Sequence, residues 1–270
     1  MKQITFFTLL LVSFSVFAQK SSKMTNFYYD ATFGEQFGVK LIAKNIISKT
    51  DFVKLGLEIN NQTKNYILFL KDKCKFVVNQ NSYSLKTVKK GRILKPGKTE
   101  IFTVKSEKQT NYLTNDIDFR PGGIYTFPAK GVTVETEPFH LPPDKNKISG
   151  AAFKINMLKL KKQTDETAVK FKCTYTGDKI GIIIPSNCVL RTENGKEWAT
   201  VKSKEKIKIL QKGESVSFTV NFEIPGKITD MQFADMDIVW KDTFSESDLT
   251  ELNFDIQHIN IDENTTKEKN

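Results

Sequence analysis

Ile93-Leu94-Lys95-Pro96-Gly97-Lys98-Thr99-Glu100-Ile101-Phe102-Thr103-Val104 and Ile209-Leu210-Gln211-Lys212-Gly213-Glu214-Ser215-Val216-Ser217-Phe218-Thr219-Val220 are two versions of one segment. They lie 116 positions apart and agree at six of twelve positions, among them Gly97/Gly213, Phe102/Phe218 and Val104/Val220. In each, an apolar pair enters a glycine turn and leaves it as an alternating strand. Gly97 and Gly213 stand where such a turn needs a positive φ, which glycine adopts without a Cβ clash. The same offset aligns Val53-Lys54-Leu55 with Val169-Lys170-Phe171, and Phe37, Val39 and Leu41 with Phe153, Ile155 and Met157. A period this long is too large for a solenoid repeat and matches an ordinary domain, so the chain reads as one domain written twice.

Working outward, strand patterns dominate both copies. Val53 to Ile59 and Val169 to Tyr175 alternate and stop at Asn60-Asn61 and Thr176-Gly177-Asp178, which are turn signals. Continuous apolar runs follow at Ile67–Leu70 and Ile180–Ile184, and polar turns precede Tyr83 and Trp198. Each copy is expected to close with a further strand, at 131–135 and 252–256. No long amphipathic helix stands out. The pattern predicts an all-β chain of two tandem antiparallel β-sandwich domains from an internal duplication, at 24–137 and 151–261. The proline-bearing stretch 138–150 is expected to be a semi-rigid linker and the polar tail 262–270 to be disordered.

Residues 1–18 read as a secretory signal peptide, with Lys2, an apolar core and Val16-Phe17-Ala18 before the cleavage point. No later stretch reaches membrane-span length, so the expected mature chain is exported, periplasmic or extracellular, with no membrane insertion after signal cleavage. The net charge is +10, and all but three (Arg92, Arg120, Arg191) of 41 basic residues are lysine. Lysine is a hydrated point charge, whereas arginine is the residue suited to bidentate phosphate recognition. A solvated face explains such an excess; the sharper reading is a polyanion-binding surface. No basic-aromatic cluster of a nucleic-acid module occurs, so nucleic acid is not an expected partner. Lysines are dense from Lys154 to Lys212, whereas 242–263 carries seven acidic residues and no lysine or arginine.

The second copy joins apolar strands, the turn Gly195-Lys196-Glu197-Trp198, the Leu210–Val220 block and Glu223-Ile224-Pro225. In this it resembles immunoglobulin-like β-sandwich domains of uncharacterised bacterial exported proteins. The resemblance implies a fold and brings no catalytic residue and no cofactor. The cysteine pair with a packed tryptophan that often joins such sheets is absent from the first copy.

Three cysteines do not make a disulfide framework. Cys74 and Cys188 fall at nearly equivalent places and read as small buried hydrophobes, and Cys173 shares a face with Val169, Phe171 and Tyr175. A Cys173–Cys188 bridge stays open if those strands face each other. His140 and His258 are the only histidines, sit at or beyond the last strand of each copy and do not have metal-site spacing. Asp116/Asp118 and Asp235/Asp237 place two carboxylates on one strand face each, which reads as a solvent-facing pair rather than a calcium site. None of the common nucleophile or phosphate-loop motifs occurs, and the chain is read as non-enzymatic. Phe27, Tyr28 and Tyr29 either bury in a first strand or, exposed, stack on sugars or anchor a partner; with Trp198 they form the candidate binding surface. The function expected is binding or scaffolding at the bacterial cell envelope, with an envelope protein or glycan as partner. A periplasmic chaperone-like subunit binder and a carbohydrate-binding protein are the alternatives.

Overall fold

The alternating stretches at Val53–Ile59 and Val169–Tyr175 form central strands of an all-β molecule in the computed structural model, which describes residues 24–107, 112–201 and 206–270. The expected leader, residues 1–18, lies outside them. In chain order the strands are β1 (Asn26–Tyr28), β2 (Ala31–Gln36), β3 (Val39–Lys49), β4 (Phe52–Asn61), β5 (Tyr66–Phe69), β6 (Lys75–Val78), β7 (Asn81–Ser84), β8 (Arg92–Leu94), β9 (Lys98–Lys105), β10 (Asp116–Arg120) and β11 (Ile124–Phe127). The second half continues with β12 (Val132–Thr133), β13 (Phe139–Leu141), β14 (Lys147–Gly150), β15 (Phe153–Lys162), β16 (Glu166–Tyr175), β17 (Ile180–Ile183), β18 (Val189–Thr192), β19 (Glu197–Ala199), β20 (Lys208–Leu210), β21 (Ser215–Glu223), β22 (Met236–Val239) and β23 (Phe244–Ser247). Then come β24 (Thr250–Leu252), β25 (Gln257–Asn260) and one helix, α1 (Glu263–Lys269).

All named pairings are antiparallel, and the sheets of the two halves correspond. The order β1-β3-β4-β9, with β2 on β3, matches β14-β15-β16-β21. The order β7-β6-β10-β25 matches β19-β18-β22-β13, and β8-β5-β11-β24 matches β20-β17-β23-β12. The correspondence holds at an offset of 116 for β8 and β20 and for β9 and β21, but not for β3, β4 and β5 and their counterparts. Leu57 faces Phe102 while Phe171 faces Phe218, so β4 and β16 align at an offset of 114. A two-residue slip leaves every side chain on its original face, which is why alternation alone does not reveal it. Phe37 is therefore not the counterpart of Phe153. It sits with Gly38 at the tip of the β2–β3 hairpin at φ 47°, and it is 84% exposed where Phe153 is fully buried. Gly97 and Gly213 take the expected positive φ, 63° and 80°.

The closing strands are exchanged between the halves. β12 and β13 follow the first half in sequence but pair with β23 and β22. β24 and β25 follow the second half but pair with β11 and β10. Sequence order suggests that 131–135 and 252–256 each close their own copy; the hydrogen bonds run the other way. The stretch 138–150 is accordingly not a linker, because it contains β13 and β14 and buries Phe139 and Leu141. At the first crossing, a Cβ on Gly131 would lie 2.0 Å from the Glu246 carbonyl oxygen, so only glycine fits.

The tail is ordered as well. Asp262 caps α1, accepting from the Thr265 backbone N–H at 3.0 Å, with Glu263 in the first turn and Lys267 and Lys269 in the last. The Phe27 N–H donates to Thr266 Oγ1 at 3.0 Å, and Asn270 bonds both the N–H and the carbonyl of Thr25. These contacts tie the chain end to β1.

Three apolar cores result. One lies in the first half and includes Leu252, Phe254 and Ile259 from the end of the chain. The second includes Val134, Phe139 and Leu141. The third joins Leu68 and Phe127 to Ile180 and Ile182, between the halves. It explains the continuous apolar runs: Ile67 and Phe69 point into the first core and Leu68 into the shared one. Strands buried on both faces lose their alternation. Gln211 locks the same junction, accepting from Gly91 N–H at 2.8 Å and donating to the Gly91 carbonyl at 3.0 Å. Because Phe139 fills the second core, Phe139→Ala is expected to cost about 3–5 kcal/mol, read from the urea denaturation midpoint. A change within about 0.5 kcal/mol, as for an exposed linker residue, would contradict its placement.

Candidate functional site

The aromatic candidates do not form one surface. Tyr28 is buried; its hydroxyl donates to the Thr114 carbonyl at 2.7 Å and lies 2.9 Å from Ser48 Oγ, and burial pushes the phenol above its ordinary pKa. Phe27 is half-buried, with Lys269 Nζ 4.8 Å from its ring centre, and Tyr29 is exposed. Trp198 stands in the other half on the edge strand β19, half-buried against the second core under the Lys196 ammonium. Trp240 is a core residue packed on Phe171. Cys74, Cys173 and Cys188 are unbridged and buried, and burial pushes each thiol up to about 12. Such thiols are inert at neutral pH.

A different surface concentrates charge. In the sheet β14-β15-β16-β21 the inward residues, from Phe153 and Ile155 to Phe171 and Phe218, fill the second core. Alternation then sends Lys147, Lys154, Lys159, Lys161, Lys170 and Lys172 to the opposite, outer face. A β-bulge between Met157 and Lys159 makes this arrangement. Without the extra residue, Lys159 would face Val169 and turn inward; with it, Lys159 faces Lys170 and Lys161 faces Ala168. Leu160 is directed to the core instead. None of the six lysines forms an ion pair within the described residues. Glu166 and Glu223 stand opposite one another at one end of the sheet.

Between the lysines the face carries hydroxyls and an amide: Ser149, Asn156, Thr174, Ser215, Ser217 and Thr219. Over one end lies an open recess of about 480 Å³ lined by Lys147, Ser149, Lys154, Asn156 and Thr174, with Glu137 and Thr176 at its side. The Glu137 carboxylate is taken by Lys145, at 2.8 Å. The equivalent sheet of the first half has a different surface. There Lys40, Lys44, Lys49, Lys54 and Lys105 share the face with Ile42, Ile47, Phe52 and Ile101; Glu58 neutralises Lys44 at 2.7 Å, and Ile101 is 57% exposed. A wider hollow of about 850 Å³ in that half mixes Lys71, Lys86 and Lys105 with Asp51 and Glu107. Lysine density between Lys154 and Lys212 is visible in the sequence, and Val169-Lys170-Phe171-Lys172-Cys173 already shows which side each lysine takes. The bulge leaves no such signal.

The strand exchange also assembles two matched clusters. β25 sets His258 beside the Asp116/Asp118 pair of β10, with Nδ1 2.7 Å from Asp118 Oδ1 and Nε2 3.6 Å from Asp116 Oδ2. β13 sets His140 beside Asp235 and Asp237 in the same way, at 3.1 Å from Asp237 and 4.0 Å from Asp235. Each cluster is half-exposed and joins adjacent strands that are far apart in the sequence. Among the described residues no group of side chains has the makings of a metal site.

No protein-family model and no curated protein matches this chain. Among solved structures, a match is the crystal structure of AerE from Microcystis aeruginosa, 11% identical, spanning 87% of this chain and 98% of that one at a TM-score of 0.11. A likeness at that level bears on neither fold nor function.

The His258 cluster predicts a pH dependence. The hydrogen bond to Asp118 holds the imidazole above its ordinary pKa, with the charges of Asp118 and Asp116 acting in the same direction. A raised folded-state value favours the protonated form. Its stabilisation is therefore complete below the unfolded imidazole pKa and is lost as pH rises through the folded one. Asp118→Asn is expected to lower the His258 titration midpoint measured by NMR and to flatten this part of the stability–pH profile. An unchanged midpoint would contradict the pairing.

Proposed function

We propose that the chain is an exported, non-catalytic binding protein of the bacterial cell envelope, built from two tandem immunoglobulin-like β-sandwich units of common origin. The corresponding strand orders of the two halves support the duplication, and the reading of residues 1–18 as a leader supports export. One observation carries the functional reading: the outer face of β14-β15-β16-β21 displays six lysines that have no ion-pair partner among the described residues and are set among hydroxyls and an amide. The lysines of the corresponding first-half face (Lys40, Lys44, Lys49, Lys54 and Lys105) stand instead among Ile42, Ile47, Phe52 and Ile101, with Lys44 paired to Glu58. Lys159 and Lys170 face each other directly across two strands. Like charges placed so cost stability, by a few tenths to about 1 kcal/mol. An acidic partner laid across the face would remove that cost. The braced pairing of the halves suits a surface that binds without rearranging.

The test is co-sedimentation of the mature protein with isolated bacterial envelopes. Most of the protein is expected in the pellet at low ionic strength, with release as salt shortens the Debye length to about 10 Å at 0.1 M and below. Protein that stays in the supernatant at low salt would overturn the reading.

A further inference from the structure

We infer that the lysine face of β14-β15-β16-β21 is a binding site for an anionic polysaccharide, a glycan chain bearing carboxylate or similar groups along its length. The inference rests on the binding function proposed above and names its ligand.

The charge field is two-dimensional. Lys147 lies on β14, Lys154, Lys159 and Lys161 on β15, and Lys170 and Lys172 on β16. Neighbouring strands are about 4.8 Å apart and same-face residues along one strand about 6.8 Å apart, so the ammonium groups form a grid rather than a line. The rows across the strands are Lys147–Asn156–Lys172, Ser149–Lys154–Thr174, Lys159–Lys170 and Lys161–Ala168. A polymer crossing them meets one or two charges per row with polar groups between, and one running along β15 or β16 meets Lys159 and Lys161 or Lys170 and Lys172 at two-residue spacing. Lysine suits this task because its hydrated ammonium on a flexible stem attracts any anion without demanding the planar geometry that arginine reads.

The groups between the lysines distinguish the polymer. Ser149, Thr174, Ser215, Ser217 and Thr219 each donate and accept, as does the amide of Asn156. Sugar hydroxyls likewise donate and accept, so they can be matched at each step. Thr174 and Ser215 already lie 2.7 Å apart across β16 and β21, which fixes their oxygen positions. The recess over Lys147, Ser149, Lys154, Asn156 and Thr174 adds a concave end to the flat grid, where a sugar ring can sit with its charge between two lysines.

Two other acidic polymers fit less well. Single-stranded nucleic acid is held by stacking bases on aromatic side chains as well as by charge, and this face offers neither an aromatic residue nor an arginine. An acidic peptide would bring backbone N–H and C=O groups that seek a strand edge, whereas the lysines occupy the side-chain surface of the sheet. The corresponding face of the first half, where lysines are interleaved with Ile42, Ile47 and Ile101 rather than with hydroxyls and Lys44 is paired with Glu58, supplies an internal comparison within the same chain.

The experiment immobilises polygalacturonate and measures binding of the full mature chain, with dextran, poly-L-glutamate and single-stranded DNA as parallel probes. Three lysines are replaced at once, as Lys159→Gln, Lys170→Gln and Lys172→Gln. A control with the same change in net charge carries Lys40→Gln, Lys49→Gln and Lys54→Gln on the first half. Polygalacturonate is expected to bind and dextran not to bind. The first triple variant is expected to lose at least tenfold in affinity and to reduce the slope of log K against log salt by about two to three, near one unit per lysine. The control should change affinity less than twofold. The Tm of the lysine-face variant should hold or rise, since Lys159 and Lys170 no longer repel, which separates lost binding from lost folding.

Equal losses in both variants, or none in either, would overturn the assignment to this face. Tighter binding of poly-L-glutamate or of DNA than of polygalacturonate would overturn the glycan as its ligand and leave the wider binding function in place. Failure to bind any polyanion while envelopes still sediment the protein would overturn the inference alone. Failure of both assays would remove the function with it.

Discussion

The ladders β10–β25 and β22–β13 join segments from distant parts of the chain, and the rest of the architecture depends on them. The chain enters the second half, leaves β12 and β13 there, completes that half, and returns β24 and β25 to the first. Two crossings in opposite directions mean that neither half has its full set of strands without the other. Separating the halves would break backbone hydrogen bonds in both and expose the shared core of Leu68, Phe127, Ile180 and Ile182. The arrangement carries a kinetic cost, because contacts between such distant segments close long loops before they stabilise anything.

This constraint also fixes what remains available to a partner. The apolar faces of β5, β11, β17 and β20 are consumed by the junction, and the inward faces of the long sheets are consumed by the cores. The outer faces of the two long sheets stay open and differ in chemistry. One mixes lysines with Ile42, Ile47, Phe52 and Ile101 and pairs Lys44 with Glu58; the other sets its lysines among hydroxyls and an amide. A pair of matching scaffolds has thus diverged on the surface that packing does not decide. Both long sheets carry an equivalent bulge, between Lys44 and Ile47 and between Met157 and Lys159, so the divergence lies in the residues the bulge turns outward, Ile47 on one face and Lys161 on the other.

Much of the fold is legible along the chain because it is local. Gly97 and Gly213 mark turns that need positive φ, and Val53–Ile59 and Val169–Tyr175 declare their buried faces by alternation. What escapes is what depends on pairing. His140 and His258 lie in strands of similar pattern, so either strand could close either half, and nothing in the residues themselves states that each crosses over. The offset of 114 in β4 and β16 hides because strand periodicity is blind to a slip of two. Two misreadings did have a local signal. Phe139-His140-Leu141 alternates between the prolines of the supposed linker, and Asp262 with Thr265 forms an N-cap ahead of the supposed disordered tail. Of the candidate site, lysine density and the alternation in β16 are readable, whereas the grid needs the register of three strands at once.

The exchange can be tested through the two histidine clusters, since they identify which half receives β25. Asp118→Cys with His258→Cys places two cysteines directly opposite one another across β10 and β25. Asp237→Cys with His258→Cys places them where they would meet only if β25 closed its own half on β22. Native Cys74, Cys173 and Cys188 are buried and do not compete. Mild oxidation followed by non-reducing mass mapping of the folded chain should show the 118–258 disulfide and no 237–258 disulfide. A 237–258 bridge formed in place of 118–258 would contradict the exchanged architecture.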